Sequence, residues 1–378
     1  MSLKELSVNL ARLRLSKGYN QTEMAQSVGL SRPAYIAIES GKSEPRTNNL
    51  LKIAEVLGVN LQDLFAPVPE FSSLKFRTNK KYTLRDINKR QQIIAEFSLW
   101  LNDYNDLCNL LNHNIKNKIN KLNFRSPKEA AEGFRKELGL SNDSVVLNIC
   151  SLLEKAGIKI SLIKSDIDSF FGFSINEDDG GPAICVNTSE KISIERQIFT
   201  IAHELGHLLL HKESYRQEDE ENEELEKEAN QFAGYFLMPN KYFIEMWNSN
   251  KGLHWLENIL IIKRMFRVSY KVVISRLFEL GIISKETNLW IMFNVEYKKR
   301  YGVGLSHKSE PEPLKELYSD DGKDEPKKLD RFDFYEDGLT NLVREAYEKS
   351  LISFNRAREI LKLNIDEMND LINAWELT

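Results

Sequence analysis

Apolar positions recur every three to four residues along most of this chain, in short bursts that glycines separate. Leu6, Leu10 and Leu13 make one stripe over Leu3 to Ser16, and Lys17-Gly18-Tyr19 breaks it. Asn20 with Glu23 is a capping-box pair that opens a second helix, through Val28. Gly29-Leu30 makes a tight turn. Ser31 can cap a third helix, Arg32 to Ser40, with Pro33 at a favoured early position. Gly41 stops it, and a fourth helix over Thr47 to Leu57 ends at Gly58. The spacing therefore predicts a five-helix domain over 1–66. Two short helices joined by a glycine turn form a helix-turn-helix, whose second helix enters the DNA major groove. Ser31, Arg32 and Tyr35 are expected to face outward as base or phosphate readers, and Gln21 and Thr22 to meet backbone phosphates. Ile36, Ile38 and Glu39 read as core and frame. The competing reading is a helical bundle used for protein contacts.

A longer pattern follows. Asp86 to Leu122 holds no Pro or Gly, and Ile87, Ile94, Leu101, Cys108, Ile115 and Leu122 recur every seven residues. Phe97, Tyr104 and Leu111 fill a second seam, which Arg90 and Lys118 interrupt. Two readings fit: a dimer helix that pairs two DNA readers, or a long helix packed on the domain that follows. A homodimer is expected either way.

From 126 the pattern mixes periods. Lys128 to Leu138 and Val145 to Ala156 read as helices, and Gly157 as a cap. Ile158 to Ile163 alternates like a half-buried strand. Phe171 to Ile175 and Ala183 to Asn187 make a hairpin around Asp178-Asp179-Gly180-Gly181. The strand ending at Asn187 is expected either to lie at a sheet edge, open to an extended peptide, or to close the core.

Within the apolar run Ile201 to Leu210 stands His203-Glu204-Leu205-Gly206-His207. Histidines four apart share a helix face, so two imidazoles can hold one tetrahedral zinc ion, Zn2+, with Glu204 beside it as the catalytic base. A catalytic zinc needs a third protein ligand. In the helical pattern Leu225, Ala229, Phe232, Ala233 and Phe236, Glu226 and Asn230 share a face. Glu226 is the expected ligand, with Asn230 orienting an imidazole. Glu228 is the rival, pointing roughly opposite. His211, Tyr215 and Tyr235 are candidate oxyanion donors, each also explicable as structural.

At these residues, and through Glu226-x-x-Ala229-Asn230-x-Phe232-Ala233 to Leu237-Met238-Pro239, the chain resembles the ImmA/IrrE family of metallopeptidases, over roughly 127–284. The resemblance implies a zinc protease that cleaves a transcriptional repressor, often to release stress or mobile-element genes. Over 6–65 the chain resembles the phage-repressor-like (Cro/CI, or XRE) family. The carriers are Gln21-Thr22-Glu23-Met24-Ala25, Gly29-Leu30-Ser31-Arg32, Ile38-Glu39-Ser40-Gly41-Lys42 and Leu51-x-x-Ala54-x-x-Leu57-Gly58-Val59. A winged-helix-like segment over 255–284 is expected to serve substrate docking or DNA contact.

Length and charge refine this picture. The 378 residues suit several domains: a helix-turn-helix domain over 1–66, a basic helical linker over 67–125, a peptidase domain over 126–290, and a charged linker with a helical region over 291–378. The expected fold is mostly α with a small sheet, a zincin-like α+β part inside a multidomain chain. Net charge is only −4, but residues 1–66 carry eight Lys/Arg against six Asp/Glu, and 67–125 eleven against five, giving +2 and +6. A basic front half suits phosphate contact. Residues 310–337 carry five against eleven, giving −6, which reads as an irregular linker. No apolar run reaches the ~18 residues that would span a bilayer, and no secretory leader pattern opens the chain. Three scattered cysteines read as reduced thiols, so a cytoplasmic place is expected. Partners are then operator DNA and a protein substrate, a repressor or antitoxin-like protein. The rival classes are a zinc-containing sensor that cuts nothing and a self-cleaving regulator.

Overall fold

The computed structural model describes residues 3–65, 84–113, 119, 122–167, 170–212, 222–306, 310–311, 329 and 337–376. The chain divides into two compact units, one from 1–71, 78–114 and 338–378, the other from 72–77 and 115–337.

The first unit opens with four helices: α1 (Leu3–Ser16), α2 (Gln21–Ser27), α3 (Arg32–Glu39) and α4 (Thr47–Leu57). A 3-10 turn over Leu61–Phe65 follows. The local signals act as read. Asn20 accepts from the Thr22 and Glu23 amides while Glu23 accepts from the Asn20 amide. Ser31 accepts from the Ala34 amide, and Gly58 ends α4 with φ 64°. Leu6, Leu10, Leu13, Met24, Val28, Ile38, Ile53 and Leu57 close one apolar core.

The long helix, α5 (Leu84–Leu110), is shorter than its heptads suggest. Asn112 takes φ 53°, and the amides of Asn112 and His113 bond to the carbonyls of Asn109 and Cys108. That paired closure is how helices end on a left-handed residue, which Asn tolerates. Ile115 lies outside the described residues. α5 packs on α1, where Arg12 donates to Ser98 Oγ at 3.1 Å. It also packs on the carboxy-terminal helices α14 (Gly338–Glu348), α15 (Phe354–Leu361) and α16 (Ile365–Glu376). Tyr104, Leu107 and Leu111 meet Leu339, Leu342, Val343 and Ala346 there. Of the seam residues, Tyr104, Cys108 and Leu111 are thus covered by the carboxy-terminal helices, whereas Leu122, beyond the end of α5, packs against the peptidase core as the sequence suggested.

The second unit begins with α6 (Pro127–Glu137) and α7 (Ile149–Glu154). Three strands follow, β1 (Lys159–Ile163), β2 (Gly172–Ile175) and β3 (Ala183–Asn187). They pair in the order β1-β3-β2, β1 parallel and β2 antiparallel to β3. The hairpin is as expected, but β3 is central: it closes the core and is no edge. Then come α8 (Ile194–Leu210), α9 (Glu223–Leu237), α10 (Asn240–Ser249), α11 (Trp255–Phe266), α12 (Tyr270–Glu279) and α13 (Leu289–Tyr301). α8 rests on the sheet, and α9 packs on both α8 and α6. The expected winged-helix segment is the helix pair α11–α12, with no strand among its described residues, and its apolar faces join the main core.

Candidate metal centre and nucleic-acid interface

α8 starts at Ser193, whose hydroxyl accepts from the Arg196 amide, and its apolar face buries Ile198, Ile201, Ala202, Leu205 and Leu208. His203, Glu204 and His207 therefore lie on fixed turns of a buried helix. α9 brings Glu226 and Asn230 alongside. The close approach depends on Gly206, where a Cβ would meet Phe232 Cδ1 at 3.0 Å and Ala229 Cα at 3.2 Å.

His203, His207 and Glu226 each point one ligand atom inward, all within 4.8 Å of one another. Glu226 lies 3.1 Å from His207 Nε2 and 3.8 Å from His203 Nε2. The hydrogen bonds behind the imidazoles fix what they present. His203 Nδ1 faces Asn230 Oδ1 at 3.0 Å, so Nδ1 carries the proton and Nε2 its lone pair. Glu228 accepts from His211 Nε2 at 2.9 Å, which leaves His211 Nδ1 to accept from His207 Nδ1, also at 2.9 Å. His207 Nε2 then presents a lone pair too. The two Nε2 atoms stand 2.9 Å apart beside a carboxylate. Acceptors alone repel one another at that distance, and a cation among them satisfies all three. The donor set, two imidazoles and one carboxylate, suits zinc with a position left for water. His203 is fully buried, whereas the side chains of His207 and Glu226 are 16% and 27% exposed, so one side faces solvent.

Glu204 is buried next to this cluster and accepts from Ser174 Oγ at 2.8 Å. Ser174 lies on β2, which approaches α8 closely because Gly172 has no side chain. A Cβ there would stand 2.7 Å from both the Cys185 carbonyl and Thr200 Cγ2.

In the first unit, Ser31, Arg32 and Thr22 are exposed, on the first turns of α3 and α2. Tyr35 is not: it is 0% exposed, which overturns the outward placement read from sequence. Its face of α3 carries Ile38 and Glu39 into the core. Arg14 Nε and Nη2 donate to Glu39 at 2.6 and 2.8 Å, and Gln21 Nε2 donates to it at 2.8 Å. Gln21 thus spends its amide on the frame, and Tyr35 lies beside the same ion pair, its hydroxyl pKa pushed up by burial and by the Glu39 charge.

The family model of helix-turn-helix domains matches residues 10–64, and that of the IrrE N-terminal-like peptidase domain matches residues 153–278. An SPbeta prophage-derived HTH-type transcriptional regulator of Bacillus subtilis is 43% identical over 51 residues, 14% of this chain and 47% of that protein. A second B. subtilis HTH-type regulator is 36% identical over 80 residues, 21% of this chain and 67% of the relative. One from Sinorhizobium fredii is 34% identical over 67 residues, 18% of this chain and 87% of the relative. The chain belongs to the helix-turn-helix transcriptional regulators. It also carries an ImmA/IrrE-like peptidase domain, and it spans about half the length of the first of these relatives.

In this regulator, sequence reasoning missed the His207–His211–Glu228 chain and the Ser174–Glu204 bond. In the sequence His211 reads as an oxyanion donor and Glu228 as a rival ligand, each on its own. Their mutual spacing only follows once α8 and α9 are placed side by side. Tyr235 lies under the Arg276 guanidinium at 4.4 Å, a packing role, and Tyr215 lies outside the described residues. Among the described residues no helix is long and apolar enough to cross a membrane.

Proposed function

We propose that this regulator binds DNA through α2 and α3 and is also a zinc-dependent endopeptidase that cleaves one specific protein, a repressor or antitoxin-like partner. The convergence of His203, His207 and Glu226 within 4.8 Å, with Glu204 beside them, carries this reading. Zinc bound by these three side chains would supply Lewis acidity toward a water and the scissile carbonyl. Glu204 would take the water's proton on a carboxylate oxygen and pass it to the leaving amine. Ser174 orients that carboxylate before substrate arrives. Asn230 and His211 hold the imidazole rings in one tautomer, the role that outer partners play at metal sites. An intact Glu204 argues against a purely structural zinc, which would close with four protein ligands and need no base.

Thr22, Ser31 and Arg32 are the contacts proposed for DNA, with Gln21 framing them. A homodimer on a two-fold operator belongs to this reading, with a face other than the covered seam of α5 as its interface.

The test compares wild type with Glu204→Gln, each with its zinc content measured, against repressor-like proteins encoded beside the gene. Zinc in both and a cut by wild type alone is expected. Zinc in both with no cut would turn the reading to a sensor that does not cleave. A cut within residues 67–125 of the regulator itself would turn it to self-cleavage.

A further inference from the structure

The peptidase unit also holds a recess on the first turns of α8, and the ring of Phe199 on its wall stands 6.5 Å from that of His203, centroid to centroid. The volume of the recess is about 290 Å³. It opens between the β1–β2 connection, the start of α8 and the start of α12, and it is walled by Ile167, Phe171, Ile192, Phe199 and Val272. Three cations, Lys191, Arg196 and Lys271, line it against two acids, Asp166 and Glu310. Arg196 is seven residues before His203, about 10 Å along the helix axis.

Two observations give this cavity a chemistry. The first is Arg196. Its guanidinium carbon lies over the Phe171 ring, 3.9 Å from the centroid. Arg196 is an exposed residue of α8 whose side chain makes no hydrogen bond or ion pair among the described residues, and partial burial of its head against the ring holds its pKa below the ordinary arginine value although Glu310 acts the other way. A planar fork of donors pressed on an aromatic face is suited to accept a carboxylate edge-on. The second is Glu310. Glu310 itself lies in no helix or strand, and it lines the cavity. It lies 3.5 Å from Lys263 Nζ and accepts from the Tyr270 amide at the start of α12, at 3.4 Å. Lys263 also pairs with Glu195. The chain's own acid is therefore committed to Lys263 and the helix end, and the guanidinium beside it keeps its donors.

We propose that this cavity binds a small carboxylate with an apolar body, its acid group on Arg196 and its body between Phe171, Phe199, Ile167, Ile192 and Val272. The volume is that of a small-molecule site, at the low end for such pockets and larger than one side chain needs. The apolar walls select an organic acid over inorganic phosphate. This site stands whether or not the regulator is a protease.

The test is calorimetric titration of the full-length protein with 4-phenylbutyrate and with its neutral isostere, 4-phenylbutyramide. The acid should bind, and the amide about tenfold more weakly or worse, because a charge-assisted pair is lost. Arg196→Met keeps the stem on Phe171 and removes the charge, and it should bring the acid down to the level of the amide. Val272→Trp fills the cavity without touching a charge and should abolish binding of both, with melting temperature showing that each variant is folded. Equal binding of acid and amide, unchanged binding of the acid by Arg196→Met, or no heat from the acid at millimolar concentrations would each overturn the proposal.

Discussion

Glu39 stands seven residues after Arg32 on the same short helix, yet Arg32 is in solvent and Glu39 is 7% exposed. A charged residue is buried in this way only when it is paired, and Arg14 supplies the pair through two parallel hydrogen bonds. Hydropathy cannot show such a pair, which is why Tyr35, on the same face, reads as outward in the sequence and Ile38 does not. Burial pushes the Glu39 carboxyl up, but hydrogen bonds from Arg14 and Gln21 outweigh it and hold its pKa below the usual glutamate value. A depressed carboxylate stabilises the fold above its unfolded pKa, and the gain fades as pH falls through the folded pKa. Glu39→Gln should therefore lower stability at pH 7 by about 3 kcal/mol, the scale for leaving one buried charge alone. The gap to wild type should narrow as pH drops below about 4. Thermal melts of both proteins across pH 3 to 7 would read this, and a gap that ignores pH would contradict it.

At the scale of elements, α8 and α9 were the most legible part of the chain. Each carries a regular apolar stripe, and on a helix that periodicity fixes which polar residues share the opposite face. His203, His207, Glu226 and Asn230 followed from it. What periodicity could not give was the distance between the helices, because that depends on how closely the backbones pass. Gly206 sets it. Gly206→Val would place branched carbons against Phe232 and Ala229, where even one Cβ is already tight. Overpacking of this kind costs about 1–3 kcal/mol, and pushing α9 away separates Glu226 and Asn230 from the imidazoles. The variant should melt lower and hold less zinc after dialysis than wild type. A Gly206→Val protein with full zinc and an unchanged melt would mean that the helices do not need this contact. The end of α5 shows the opposite limit. The heptad pattern runs on to Leu122, but Asn112 ends the helix first, and one left-handed residue overrides a long apolar repeat.

At the scale of the whole molecule, sequence order is a poor guide to which parts fold together. The carboxy-terminal helices follow the peptidase domain in the chain yet complete the unit that holds the helix-turn-helix. Arg356 reaches back to Asp103 at 2.6 Å, and Lys362 to Glu96 at the same distance. Asp103 is set deep enough that burial pushes its pKa up to about 6 even with Arg356 beside it. Apolar patterns in α14 to α16 were visible in sequence, but nothing local marks the partner of such a face. The contact joins positions more than two hundred residues apart, and its loop closes at a cost that grows only slowly with length. Deleting residues 338–378 should therefore injure the front of the chain and spare the middle. It bares Tyr104, Leu107 and Leu111 on α5 and leaves Asp103 without its arginine. Scanning calorimetry should show the transition of the first unit lowered or lost, with DNA binding weakened, while the transition of the peptidase unit and its zinc content stay as in wild type. Were the two transitions both unmoved, the carboxy-terminal helices would be passengers, and the cover over the α5 seam would have no part in holding the DNA-binding unit together.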